Sequence, residues 1–139
     1  MPQDYRVEVR RQDAQRALAE ARGFSLVLGA RRADLEAGFN PVETLLAALG
    51  SCLLAGIQFV AESFRVPLAG ARVVLEASRE DKPPKIVHIG FVLYLESPAP
   101  DERLEKLLEL TLRNSTLRNS TLYQSLKEAI PITGRWERT

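Results

Sequence analysis

The chain has one cysteine and one histidine in 139 residues, and each scarcity closes a route. A single cysteine cannot form an intramolecular disulfide, and His88, inside a strand-like run, has no second histidine or cysteine placed beside it, so no metal site is expected. The glycines stand singly and never form the glycine-rich run that cradles phosphate. Neither sign of charge dominates, with Lys+Arg 19 against Asp+Glu 18 and a formal net charge of +1. Nothing therefore draws the whole molecule toward nucleic acid or an anionic membrane. The one basic cluster, Arg6, Arg10, Arg11, Arg16 and Arg22, reads as solvated strand and turn surface. With one thiol and no visible secretion signal, a reducing cytoplasm is the expected home.

What the chain does have is a long apolar helix with that one cysteine in its middle. Asn40 is a capping residue, Pro41 suits the first helical position, and Glu43 stands where its carboxylate can return to the cap amide. From Thr44 to Val60 the run TLLAALGSCLLAGIQFV contains one strongly polar side chain, Gln58, and leaves no wide face for water. Small and polar residues interrupt the run, which ends at Ala61, Glu62 and Ser63, so it reads as a core helix and not a membrane span. A length of 139 residues with 45% hydrophobic content bounds the chain to a single domain, 1–139, with a real core. So small a body covers an all-apolar helix poorly, and a homodimer with the helix near the interface is the economical solution. Ala47, Ala48, Gly50, Ser51, Ala55 and Gly56 would permit close approach there; ordinary packing within the chain explains them too.

Around that helix the pattern predicts an α+β fold. YRVEVRR, Tyr5 to Arg11, and GFSLVL, Gly23 to Leu28, alternate as half-wet strands, and QDAQRALAEA between them suits either a short helix or a wide hairpin. Ala30 to Phe39 is a polar loop carrying Arg31, Arg32, Asp34 and Glu36. After the apolar helix, ARVVLEASRE and KIVHIGFVLYL read as antiparallel neighbours joined at Asp81 to Pro84. DERLEKLLELTL offers a leucine face of Leu104, Leu107, Leu108 and Leu112, Leu122 and Leu126 resume a helical face before Pro131, and ITGRW suits a last strand. Trp136 reads as an anchor for that strand or a dimer edge. Thr111 to Ser120 holds TLRNS twice over. Five residues turn a helix by roughly 140°, so the two copies cannot both face one core in a regular helix.

NPVETLLAALGSC at Asn40 to Cys52, then two strands, a leucine-rich helix and NSTLYQSLKEAIPI at Asn119 to Ile132, resembles the OsmC/Ohr family of osmotically induced proteins and organic hydroperoxide reductases. The resemblance implies an OsmC/Ohr-like α+β fold, with antiparallel sheets packed around a long buried central helix, in an intertwined homodimer with two interface sites. It also implies a peroxidatic cysteine, which Cys52 matches, acting on organic hydroperoxides. The family's second helix carries a resolving cysteine in a C-P-V-S-like motif; the matching residues here are Ser120, Thr121, Leu122 and Tyr123. Ser120 cannot form a disulfide, so an external thiol must reduce Cys52 in turnover, and no other cofactor is expected.

The resemblance also implies an arginine–glutamate pair that activates the thiol. Arg22, Arg31 and Arg32 are the candidate arginines, with Arg22 favoured because it precedes the glycine-led strand. Glu43 is close to the usual place of that glutamate, as in branches that carry it one residue later, but nine helical steps put it on the opposite face from Cys52 and roughly 13 Å along the axis. It would reach such a site only in a dimer mate or through a loop arginine, and capping already accounts for it. Ser120 and Tyr123 are the candidate pocket residues. Two functions are open: a thiol-dependent peroxidase of organic hydroperoxides, or a non-catalytic dimer that binds a small apolar or amphipathic ligand. A reactive Cys52 selects the first and an inert, packed Cys52 the second.

Overall fold

The computed structural model describes residues 3–113 and 121–139, in two compact units, Met1–Leu45 and Leu46–Thr139. The second TLRNS copy, at 116–120, and with it Ser120, lies outside the described residues.

The first unit is a three-stranded antiparallel sheet of β1 (Glu8–Arg11), β2 (Arg16–Ala21) and β3 (Phe24–Gly29) in that order. QDAQRALAEA resolves as the turn into β2. Asp13 Oδ1 accepts the backbone N–H groups of Gln15 and Arg16 at 2.8 and 2.9 Å, an aspartate turn that competes with a helical start. Arg22 and Gly23 then reverse the chain with φ of 52° and 87°, the two positive values of the hairpin turn that matches strand twist. Register puts Val9 opposite Ala19 and Ala19 opposite Leu26, with Ala21 opposite Phe24. One face is thus apolar, while Glu8, Arg10 and Glu20 occupy the other. At the end of β3, Gly29 N–H reaches Phe39 C=O at 2.9 Å. A Cβ on Gly29 would stand 3.0 Å from the carbonyl oxygens of Gly38 and Phe39, so the loop closes this tightly only on glycine.

Helix α1 runs over Pro41–Ser63 and starts as its sequence implies. Asn40 Oδ1 accepts the Glu43 N–H at 2.8 Å and Glu43 Oε1 accepts the Asn40 N–H at 3.0 Å, a reciprocal capping box. It ends in a Schellman motif, with Val66 N–H on Ala61 C=O at 2.8 Å and Arg65 N–H on Glu62 C=O at 3.3 Å. Arg65 takes the left-handed position with φ 53°, where glycine is usual. By length and composition α1 is apolar enough to cross a bilayer. Instead Leu49, Leu53, Ile57 and Val60, spaced by four, four and three, are buried in the core of the second unit, as a core helix requires.

That core is closed by β4 (Gly70–Asp81), β5 (Pro84–Glu96), α2 (Asp101–Arg113), α3 (Thr121–Leu126) and β6 (Ile132–Arg138). β4 and β5 pair antiparallel, with Gly70 opposite Glu96 and a register shift at Ser78/Arg79. β6 joins β5 in parallel, which the long α2–α3 connection allows and a tight hairpin would not. Alternation on β5 sends Ile89, Phe91, Leu93 and Leu95 inward beside Leu104 and Leu107 of α2. Gly50 lets α1 settle onto β4, because a Cβ there would stand 3.0 Å from Leu75 and 3.3 Å from Val73. Trp136 packs on this core and donates its indole N–H to Glu105 at 2.8 Å. Arg138 donates to the carbonyls of Ser97 and Ala99 at 2.6 and 2.8 Å. These bonds fasten the terminal strand to the start of α2.

Candidate functional site

Cys52 sits midway along α1, half-buried, between turns whose inward residues Leu49 and Leu53 are almost wholly covered. Its side chain points to the edge of that buried face, where the first turn of α3 meets it. The Leu122 backbone N–H donates to Cys52 Sγ at 3.4 Å, across 70 residues of sequence. Leu122 is the second residue of α3, and an amide in the first turn of a helix has no acceptor within that helix. The sulfur takes the place of that missing acceptor.

Tyr123, the next residue, is packed against the core, and the Lys127 ammonium lies 5.7 Å from its ring centroid. Gln124 donates its side-chain amide to the Leu112 carbonyl, which ties α3 to the end of α2. The structure therefore brings Cys52 together with the segment that carries Leu122 and Tyr123. Ser120, the other pocket residue expected there, lies outside the described residues.

Glu43 is held in the capping box, nine residues before Cys52 on the same helix. Helical geometry puts it on the opposite face and about 13 Å away along the axis. Arg22 occupies the β2–β3 turn, exposed, with its guanidinium 5.5 Å over the Phe24 ring. Arg31 and Arg32 lie in the loop after β3. All three arginines belong to the first unit, and Cys52 to the second. His88 Nε2 is 2.9 Å from Thr133 Oγ1 across the β5–β6 pair, which gives its ring a partner on the outer face of that sheet.

The Leu122 amide is the functional group that sequence reading misses. A backbone N–H carries no residue signature, and the only hint is its place two residues after the position that matches a resolving cysteine.

The family model described as OsmC-like protein matches residues 32–134. No curated protein matches the chain. Among solved structures, a hypothetical protein from Aquifex aeolicus VF5 superposes with a TM-score of 0.84 at 18% identity, over 99% of this chain and 98% of its own. An OsmC-like protein from Mycoplasma pneumoniae gives 0.83 at 17% identity, over 100% and 98%. An organic hydroperoxide resistance protein from Elizabethkingia anophelis gives 0.71 at 10% identity over 100% of both chains. At such identities the likeness is one of fold, and it covers both sheets and all the helices described above. With the family model spanning most of the sequence, Cys52 included, the chain belongs to the OsmC-like protein family.

Proposed function

We propose that this protein is a thiol-dependent peroxidase that reduces organic hydroperoxides through Cys52 and is reset by an external thiol. The observation that carries the reading is the Leu122 N–H directed at Cys52 Sγ at 3.4 Å. A cysteine that only fills space needs no donor, whereas a sulfur that becomes thiolate and then sulfenate uses one in both states. In the first step the Cys52 thiolate attacks the distal oxygen of ROOH. The O–O bond breaks, an S–O bond forms, and the alkoxide leaves and takes a proton as ROH. Sulfur loses two electrons and becomes a sulfenic acid. With no second cysteine in the chain, a thiol R′SH condenses with it to a mixed disulfide and water, and a second R′SH frees Cys52 and leaves as R′SSR′.

The working unit in this proposal is a homodimer. Support comes from two apolar surfaces left exposed: Phe24 and Leu26 on the first-unit sheet, at 70% and 64% exposure, and Ala47, Ala55 and Phe59 on one side of α1. Of the small residues that suggested close helix approach, Gly50 and Gly56 are buried within the chain's own core, while Ala47, Ala48, Ser51 and Ala55 face outward. An activating arginine, with Arg22, Arg31 and Arg32 as candidates, completes the proposal.

The test is steady-state consumption of cumene hydroperoxide with dithiothreitol as the reductant, for the wild type and Cys52→Ser. Many turnovers per protein, lost in Cys52→Ser, are expected. If peroxide is not consumed and Cys52 stays fully alkylatable after exposure to it, the peroxidase reading falls and a ligand-binding dimer is left.

A further inference from the structure

We propose that the outer face of the β4–β5–β6 sheet binds a small organic ammonium ion in a hollow over Gly90, with the ammonium on Glu76 and the apolar body against Val74 and Val92. Register sets two rungs side by side on that face, Glu76 with Gly90 and Thr133, and Val74 with Val92 and Arg135. They line a cavity of about 350 Å³, at the small end of the range for ligand sites. The face is turned away from α1. Val73 and Leu75, which alternate with Val74 and Glu76, are the residues that meet the helix at Gly50, and successive strand residues point to opposite faces. The hollow is therefore separate from Cys52, and its occupant lies beyond the peroxidase reading.

The hollow exists because residue 90 has no side chain, and the fold does not ask for a glycine there. Glycine inside a strand weakens it, and one usually marks a bulge, a bend or a place where a ligand or another backbone comes close. Gly90 does not take the positive φ of Gly23 and Gly38, and the register shift between β4 and β5 falls elsewhere, at Ser78/Arg79. A Cβ on Gly90 would meet its nearest atom, His88 Cε1, at 3.4 Å, which is ordinary contact. Gly50 differs, since there the Leu75 side chain would stand 3.0 Å from a Cβ. Close approach from outside the chain is the reason left for Gly90.

Width and charge say what approaches. Neighbouring strands stand about 4.8 Å apart, so Glu76 and Thr133, on either side of the bare position, have backbones about 10 Å apart. With the flanking side chains filling part of that span, the gap admits the edge of one aromatic ring or an alkyl chain. Glu76 has no hydrogen bond or ion pair among the described residues. Arg135 is paired with Glu137 at 2.6 Å, and Thr133 Oγ1 is joined to His88 Nε2 at 2.9 Å. Arg72 lies one rung beyond Val74, over the Tyr94 ring at 4.0 Å, and about 13 Å along the strand from Glu76. The uncompensated charge at the hollow is thus one carboxylate. It selects a cation, and an ammonium adds a charge-assisted hydrogen bond.

The test is titration of the full chain with phenethylamine, phenethyl alcohol and phenylacetate, which put one ring on a cation, a neutral group and an anion, read by amide chemical shifts in NMR. Shifts at Gly90, Val92 and Thr133 should saturate with the amine, show the alcohol bound about fivefold more weakly, and ignore the anion. Glu76→Gln should bring the amine down to the affinity of the alcohol. Gly90→Val fills the hollow and should abolish binding. Gly90→Ala, which adds only the Cβ that the position has room for, should melt no lower than the wild type. No response to the amine, an equal response to phenylacetate, or amine binding untouched by Glu76→Gln overturns the proposal. So does a lower melting temperature in Gly90→Ala, which would give the glycine a structural cause. Shifts of the same amides when the ligand-free protein is concentrated would give this face to a second copy of the chain, and would overturn it as well.

Discussion

The N–H of Leu122 and the sulfur of Cys52, 70 residues apart in sequence, meet at 3.4 Å. That bond is worth most when the sulfur is negative, since hydrogen bonds to charged groups contribute about 1.5–3 kcal/mol against about 1 for neutral pairs. At neutral pH, Leu122→Pro should therefore slow alkylation of Cys52 by iodoacetamide by about tenfold relative to Leu122→Ala. Equal rates in the two variants would mean that the donor does not set thiolate reactivity.

Much of the framework was legible because local chemistry decides it. Asn40, Pro41 and Glu43 announce the start of α1, and the capping box forms as that triplet implies. The alternation in KIVHIGFVLYL foretold β5, and Leu104 and Leu107 foretold the inner face of α2. QDAQRALAEA was ambiguous because alanine fits either element, and the Asp13 turn that tips the balance is a side-chain-to-backbone contact. Arg22 drew notice as a cation that precedes the glycine-led strand, while its dipeptide with Gly23 carried a plainer signal, a two-residue hairpin turn. The site itself was half legible. Cys52 stands out by composition, but its hydrogen-bond donor is a main-chain group delivered by tertiary packing.

Glu43 separates a cap from a catalytic role. Glutamine serves in a capping box nearly as well as glutamate, so Glu43→Gln should melt close to the wild type, while Glu43→Ala and Asn40→Ala should each lose about 1 kcal/mol. The two alanine changes together should lose less than their sum, because each removes a partner of the other. Thermal denaturation of the set reads this directly. If Glu43→Gln kept its stability but lost peroxide turnover, the carboxylate would have work beyond the cap.

The parallel pairing of β5 with β6 sets Phe91 opposite Gly134, and a Cβ on Gly134 would run into the Phe91 ring. Phe91 is buried at 5% exposure, so the ring has little room to yield. Alanine is ordinarily better than glycine in a strand by about 0.5–1 kcal/mol, yet Gly134→Ala should destabilise this protein by about 1–3 kcal/mol. In a Phe91→Ala background the same change should cost nothing or help, and urea denaturation of the double-mutant cycle would show it. A cost undiminished in that background would place the strain elsewhere.

Exposed Phe24 and Leu26 carry the proposal of a homodimer. Sedimentation velocity of the wild type at micromolar concentration should show a dimer, and Phe24→Lys should shift it toward monomer by placing a charge on an apolar contact. Should the wild type sediment as a monomer, the dimer is wrong, and the apolar first-unit sheet needs another cover.

Gln15 divides its two donors between two aspartates, which makes their titrations separable. Its side-chain amide donates to Asp34 Oδ2 at 2.9 Å, and its backbone N–H donates to Asp13 Oδ1 at 2.8 Å. The side-chain bond is the foremost reason that Asp34 ionises below the usual carboxylate value, helped by the Glu36 N–H. For Asp13 the foremost reason is the Gln15 backbone N–H. Both groups bind protons less tightly folded than unfolded. The stability they lend is therefore full above the ordinary aspartate value of about 3.9 and is lost as pH falls through the lowered folded values. Gln15→Ala deletes one donor and keeps the other. Carboxyl carbon shifts measured by NMR across acid pH should show Asp34 moving up toward the ordinary value while Asp13 stays where it was. If both move together, the turn at Asp13 has opened, and the two hydrogen bonds are one cooperative unit and not two independent ones.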